Sequence, residues 1–260
     1  MKNLACVVLF LSALLLAAVG TAEAPIFGSQ SQLEETHIAH AGGRVDGMAY
    51  TNSLEALESN YQRGFRVFEL DFSWTADGRL VLIHDWGQTW KRFSPEALNT
   101  PTLAEFMQTD HSKGLWFLSL DDLFDWLRLR PDARVVTDVK QRNVEALQKI
   151  ALKAPDLQER FIPQIYDPQE YAPVRASGFK KVLFTVYRSD LSEREIADFV
   201  MESAVAGLVV PEYRAQRGDF KNLRERGSVN IFVHTINDEA AWKALRAQGF
   251  HGVYTDDLVN

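Results

Sequence analysis

Between residues 36 and 258 the chain alternates short apolar runs with longer stretches whose apolar residues recur every three to four positions. The runs at 37–41, 66–71, 134–139, 161–165, 181–187, 207–210, 230–234 and 252–255 are rich in Val, Ile, Phe and Tyr and read as strands. The stretches at 53–63, 120–129, 144–153, 193–202 and 239–248 carry charges between their apolar positions and read as amphipathic helices. Eight strands alternating with helices predict an α/β chain folded as a single (β/α)8 TIM barrel. An open doubly wound sheet is the alternative, but no G-x-G-x-x-G follows the first strand. Near-continuous runs such as Gly207-Leu208-Val209-Val210 suit strands covered on both faces.

One region breaks the alternation. Asp77-Gly78 stands between two apolar runs and predicts a hairpin after the second strand. The polar region that follows, about 86–113, carries four Thr and two Pro and reads as an irregular insertion. Long loops on a barrel usually serve function.

The N-terminus is built differently from the rest. Lys2 precedes an apolar run of 16 residues, Leu4 to Val19, broken only by Ser12, and Gly20 to Ala24 offers small residues for cleavage. This predicts a signal peptide over 1–24, cut after Ala22 or Ala24, and an exported protein, periplasmic or secreted. An uncleaved anchor stays open, although 16 residues is short of the ~20 that span a bilayer. The barrel domain would then be residues 25–260, with no stable transmembrane segment. Cys6 is the only cysteine, so the mature chain would have neither disulfide nor thiolate chemistry.

Charge narrows the partners. Lys plus Arg is 28 against 35 for Asp plus Glu, a net charge of -7, which argues against nucleic acid and anionic membranes. Small-molecule chemistry is the better match. Glu69 and Asp71 alternate at the end of the second strand and therefore leave the same face. Asp138 and Lys140 repeat that spacing at the end of the next barrel strand. Three carboxylates at neighbouring strand ends suit a hard divalent cation such as Mg2+ or Ca2+. His40 and His84 end the first strand and the hairpin, flanking that cluster, and two imidazoles can accept and donate protons near neutral pH. His37 lies three residues from His40, faces the other way and reads as structural.

These residues fall into one ordered series: His40-Ala41-Gly42-Gly43, Thr51-Asn52-Ser53, Glu69-Leu70-Asp71, Thr75 with Asp77-Gly78, and Val81 to Asp85. The series resembles the glycerophosphodiester phosphodiesterase family, whose pattern runs H-R-G, E-N-T, E-x-D, T-x-D-G, then H-D. The likeness continues through Thr102-Leu103-Ala104-Glu105, Asp138-Val139-Lys140, Val233 to Asn237 and Gly252 to Asp256. The resemblance implies a barrel phosphodiesterase with one divalent cation held by Glu69, Asp71 and Asp138. It casts His40 and His84 as an acid/base pair, with His40 the expected base and His84 the acid. Lys140 becomes a phosphate contact. Asn52 is a brace for the active-site loops or a cap of the helix at 53–63.

Two departures bear on substrate. Ala41 stands where the family has Arg, which leaves Arg44 as a possible replacement phosphate ligand. Asp138 stands where the family usually has Glu, a feature similar to the sphingomyelinase D branch of the superfamily. The expected activity is hydrolysis of a glycerophosphodiester or related lipid headgroup. A lyase forming a cyclic phosphate and a barrel that binds phosphoryl ligands without turnover are the alternatives. Trp86 and Tyr187 are further candidates to line the pocket, as is Tyr166. Glu212 reads as a solvated loop carboxylate, His234 as a strand-end residue with substrate contact as the lesser alternative, and Asp256 as a residue bonding a loop, with bracing of the site as the alternative. Oligomeric state is not encoded legibly.

Overall fold

The structure is a computed structural model and describes residues 36–109 and 114–259. The expected signal peptide lies outside the described residues. Nine strands form one sheet: β1 (Thr36–Ala39), β2 (Val67–Trp74), β3 (Leu80–Leu82), β4 (Arg134–Val139), β5 (Phe161–Ile165), β6 (Leu183–Thr185), β7 (Gly207–Pro211), β8 (Ile231–His234) and β9 (Gly252–Thr255). Their order is β1-β9-β8-β7-β6-β5-β4-β2-β3, and pairing of β1 with β2 closes the eight parallel strands into a barrel. The remaining strand, β3, pairs antiparallel with the far end of β2, so the expected hairpin is present. In its turn Thr75 donates its N–H to Arg79 at 2.8 Å, and Gly78 takes φ 69, which a side chain would resist.

Helices run between the barrel strands: α1 (Leu54–Arg63), α2 (Gln88–Phe93), α3 (Leu103–Met107), α4 (Leu120–Arg128), α5 (Asn143–Lys153), α6 (Tyr171–Ala176), α7 (Glu193–Glu202), α8 (Glu212–Gln216), α9 (Lys221–Arg226) and α10 (Glu239–Ala247). Local chemistry sets their starts. Ser53, Thr102, Ser119, Ser192 and Asp238 each accept an N–H from the first turn of the helix that follows. No helix among the described residues is long and apolar enough to cross a membrane.

The core has two concentric layers. Inside the barrel, Ile38, Val67, Val136, Ile162, Leu183, Val209, Phe232 and Tyr254 form a plug with one residue from each barrel strand. The other strand face packs on the helices through residues such as Phe68, Leu70, Val135, Phe184 and Leu208. His37 lies on this outer side, its ring edge-on to Trp242 at 5.5 Å, which fits its structural reading.

The insertion departs from expectation. It is not irregular: α2 and α3 form within it, and Trp90, Phe93, Phe106, Leu115 and Phe117 join Val45, Ala56, Val81 and Ile83 in a third apolar cluster. Helices of five or six residues are too short to show a periodic signal and form because tertiary packing stabilises them. The strand ending at His40 also stops earlier than expected, at Ala39, and His40 opens a 3-10 turn.

Candidate active site

Side chains along a strand alternate between faces, so the second residue after each plug residue also points into the barrel, nearer its mouth. Ile38 leads to His40, Val67 to Glu69 and Asp71, Val136 to Asp138 and Lys140. In the same way Ile162 leads to Gln164 and Tyr166, Leu183 to Thr185 and Tyr187, Phe232 to His234, and Tyr254 to Asp256. The mouth holds a cavity of about 180 Å³ lined by His40, Tyr50, Glu69, Asp71, His84, Asp138, Lys140, Tyr187 and His234, among others. A larger groove of about 530 Å³ beside α5 contains none of these residues.

Parallel register creates the carboxylate cluster. Asp71 on β2 stands directly opposite Asp138 on β4, and Glu69 follows on the same face of β2. One oxygen from each of Glu69, Asp71 and Asp138 lies within 4.8 Å of the others, and all three residues are buried. Such crowding is unfavourable without positive charge between the carboxylates. Burial and the nearby Asp71 charge push the Glu69 carboxyl up to about 8. Asp71 moves the other way: burial opposes its ionisation, but Lys140, His84 and the hydrogen bond from Asn52 hold its pKa down. The Lys140 ammonium sits among the carboxylates, 2.8 Å from Asp71 and 3.2 Å from Asp138, as a cationic stand-in. Three buried oxygen donors that already draw in a cation fit a divalent metal of the hard, oxygen-preferring kind.

Each member is braced. The Ala41 N–H donates to Glu69 at 2.7 Å, from a turn in which Ala41, Gly42 and Gly43 all take positive φ. A Cβ at Gly43 would meet the Asn60 amide at 2.5 Å, so this turn requires glycine there. Asn52 is buried and bonds Asp71 twice, donating from Nδ2 and accepting the Asp71 N–H, both at 2.9 Å. The cap of α1 is Ser53, one residue on, so Asn52 does not cap that helix and its side chain is committed to Asp71. Tyr187 donates to Asp138 at 3.2 Å, and the Tyr166 hydroxyl donates to it as well.

The histidines are oriented by carboxylates. His40 donates its Nδ1–H to Asp256 at 2.9 Å, and Asp256 accepts a second hydrogen bond from Asn237 at 2.7 Å. Burial disfavours charge on His40, but the Asp256 hydrogen bond and the fields of Glu69, Asp256 and Asp71 outweigh it and raise its pKa to about 9. His84 donates Nδ1–H to Asp85 at 2.8 Å, and Asp85 is held in turn by the Thr89 hydroxyl at 2.7 Å. Burial opposes ionisation of Asp85, yet the His84 and Thr89 hydrogen bonds depress its pKa to about 2.

Two expected residues lie apart from the central cavity. Arg44 forms a two-pronged pair with Asp257, Nε at 2.7 Å and Nη2 at 3.0 Å, and its Nη2 lies 3.7 Å from Asp256. Trp86 donates Nε1–H to the Trp74 carbonyl at 2.9 Å and packs on Trp90 and Phe106, pinning the insertion beside the mouth. Asp256 hydrogen-bonds His40, the less favoured of its two sequence readings, and Glu212 starts α8 away from the cavity. The sequence reading missed Tyr50, Gln164 and Thr185 and undervalued His234. Two-residue counting from the plug would have found all but Tyr50.

A model of the "Glycerophosphoryl diester phosphodiesterase family" matches residues 41–259. Among solved structures, a candidate glycerophosphodiester phosphodiesterase of Galdieria sulphuraria superposes with a TM-score of 0.71 at 17% identity, over 85% of this chain and 93% of that one. The glycerophosphodiester phosphodiesterase of Thermotoga maritima gives 0.65 at 20% identity, covering 85% and 95% of the two chains. A phosphodiesterase of Oleispira antarctica, in complex with its product sn-glycerol-3-phosphate, gives 0.63 at 19% identity over 88% and 96%. These structural likenesses establish the shared barrel. With the family model spanning nearly the whole described chain, the protein belongs to the glycerophosphoryl diester phosphodiesterase family, and is a phosphodiester hydrolase.

Proposed function

We propose that this chain hydrolyses small glycerophosphodiesters with His40 and His84 as its proton-transfer pair and one divalent cation held by Glu69, Asp71 and Asp138. The observation that carries the reading is the buried carboxylate trio in the same cavity as two carboxylate-oriented histidines. The cavity, about 180 Å³ at the barrel mouth, has room for the phosphoryl group and a small alcohol of a compact diester. The product bound by the Oleispira antarctica structure is of the same chemical class.

The cation, of the Mg2+ or Ca2+ kind, supplies positive charge at the phosphoryl oxygens when bound. Lys140 adds charge for the phosphate from the cavity wall. With Nδ1 of His40 committed to Asp256, its Nε2 is the nitrogen left for chemistry, and the Asp256 hydrogen bond favours the protonated ring. His40 therefore acts as the acid that protonates the departing alkoxide, the reverse of the sequence-based expectation. His84, with Nδ1–H on Asp85, offers the Nε2 lone pair to take a proton from the attacking water. Asn52 and Tyr187 hold the ligands in place. Export behind a cleaved leader completes the reading, and mass spectrometry of protein from its native host tests it: an intact Met1 would overturn it.

The decisive experiment strips the purified protein of metal, then screens divalent cations against sn-glycero-3-phosphocholine with phosphorus NMR detection. Cation-dependent release of glycerol 3-phosphate is expected. Cyclic phosphate as the end product would point to the lyase instead. Binding of the diester without any turnover would point to a non-catalytic barrel.

A further inference from the structure

Tyr50 is held in a conformation that its own chemistry does not favour. Its φ is 59, in the left-handed region, and the neighbouring Asp46 and Asn52 share it at 47 and 50. A bulky non-glycine residue stays there only where its surroundings over-determine the position. Those surroundings are the two imidazoles. The Tyr50 ring centroid lies 4.6 Å from that of His40 and 5.3 Å from that of His84, with interplanar angles of 83° and 89°. The residue is 36% exposed and lines the cavity, so it stands at the rim between the two proposed proton-transfer groups.

The hydrogen-bond accounting around it is incomplete. Among the described residues its hydroxyl has no hydrogen-bond partner, whereas Tyr187 and Tyr166 both donate to Asp138. An anion drawn toward the charges of His40 and Lys140 would also meet, at the rim between the histidines, the uncharged phenol of Tyr50.

We propose that Tyr50 is a substrate-contacting residue: its phenol donates a hydrogen bond to a non-bridging oxygen of the phosphoryl group, and its ring keeps the two imidazoles apart. This rests on the phosphodiesterase reading above. Burial and the fields of Asp256, Asp71 and Glu69 raise the pKa of the phenol, so it stays a donor throughout the working pH range and gives up no proton. A fixed neutral donor aimed where negative charge accumulates favours the transition state over the ground state.

Three proteins test this: the wild type, Tyr50→Phe and Tyr50→Gly. Tyr50→Phe keeps the ring and removes the donor, and kcat should fall about 10- to 100-fold while KM moves less than about threefold. Orthovanadate, which mimics the five-coordinate phosphoryl group, should bind more weakly in the same proportion, with Tm unchanged. Tyr50→Gly relieves the left-handed backbone, so Tm should hold or rise while turnover falls further. Near-wild-type kcat and orthovanadate binding in Tyr50→Phe would overturn the contact while leaving the phosphodiesterase reading intact. Tyr50-dependent orthovanadate binding in a chain that cleaves no phosphodiester with any divalent cation would do the reverse.

Discussion

The barrel interior contains two neighbouring bands made by the same strands and the same strand faces, two residues apart, with opposite chemistry. The lower band, from Ile38 to Tyr254, is almost wholly apolar and sealed from solvent. The upper band carries His40, Glu69, Asp138, Gln164, Thr185, His234 and Asp256. Burial extends into the upper band, where Glu69 is only 2% exposed, although His40 and His234 are partly open to solvent. The lower band gains from leaving water. The upper band is stabilised only where each charge finds a partner, and it leaves Thr185 Oγ1 and His234 Nε2 enclosed without one. Burial pushes the His234 ring down to about 4, with the His40 and Lys140 charges adding to it, so that ring is neutral. Stability and chemistry thus occupy adjacent layers, and mutations in them should separate cleanly.

The largest effects should come from His40 of the upper band and His84 beside it, and appear mainly in rate. His40→Ala and His84→Ala should each lower kcat by about 10²–10⁴, or about 3–5 kcal/mol of barrier, with metal affinity little changed and Tm lowered by at most a few degrees. A diester with a better leaving group should restore turnover to His40→Ala and not to His84→Ala. Rescue of His84→Ala alone would return the acid role to that residue.

Truncation in the lower band should do the opposite. Phe232 is fully buried, and its ring would lie 2.8 Å from a Cβ at Gly207 and 2.9 Å from one at Gly252, so it fills space shaped around it. Phe232→Ala should destabilise the fold by about 3–5 kcal/mol, read by urea unfolding, while kcat of the remaining folded protein stays near normal. A large kcat loss in folded Phe232→Ala would dissolve the distinction between the two layers.

A smaller effect sharpens the comparison through pH. In metal-free protein Glu69 is raised from 4.5 to about 8, so its stability contribution is complete below pH 4.5 and lost as pH rises through 8. A bound cation favours the ionised form. The Tm increase on adding Mg2+ or Ca2+ should therefore grow between pH 6 and pH 8, reaching the equivalent of about 2.7 kcal/mol at a hundred times Kd. Glu69→Gln should stabilise the metal-free protein and flatten that response. An unchanged metal response in Glu69→Gln would remove it from the ligand set.

The smallest effect concerns Asp256. Because His40 is raised from 6.5 to about 9, the stability of its pair with Asp256 is complete below pH 6.5 and lost as pH rises through 9. Asp256→Asn should lower Tm at pH 6 by a few degrees and by progressively less toward pH 9. A gap independent of pH would show that Asp256 serves packing rather than the imidazolium.

Alternation with period two, amphipathic helices with period 3.6 and the Asp77-Gly78 turn are local signals, and they made the barrel and hairpin legible in the chain itself. The carboxylate trio was legible for the same reason: Glu69 and Asp71 share a face by spacing, and Asp138 ends the next barrel strand. What the chain could not display was the outcome of long-range closure. His40 meets Asp256 across 216 residues, and that partnership depends on β1 pairing with β9. Arg44 pairs with Asp257 across 213 residues, a partnership that its sequence neighbours do not announce. The helices of the insertion exist through their packing on Phe117 and Val81, not through their own short sequences. Tyr50 reaches the histidines only because a strained loop carries it there. Periodicity is fixed by backbone geometry and travels with the sequence, whereas the identity of a polar partner is decided by which distant segments the closed barrel brings within hydrogen-bond reach.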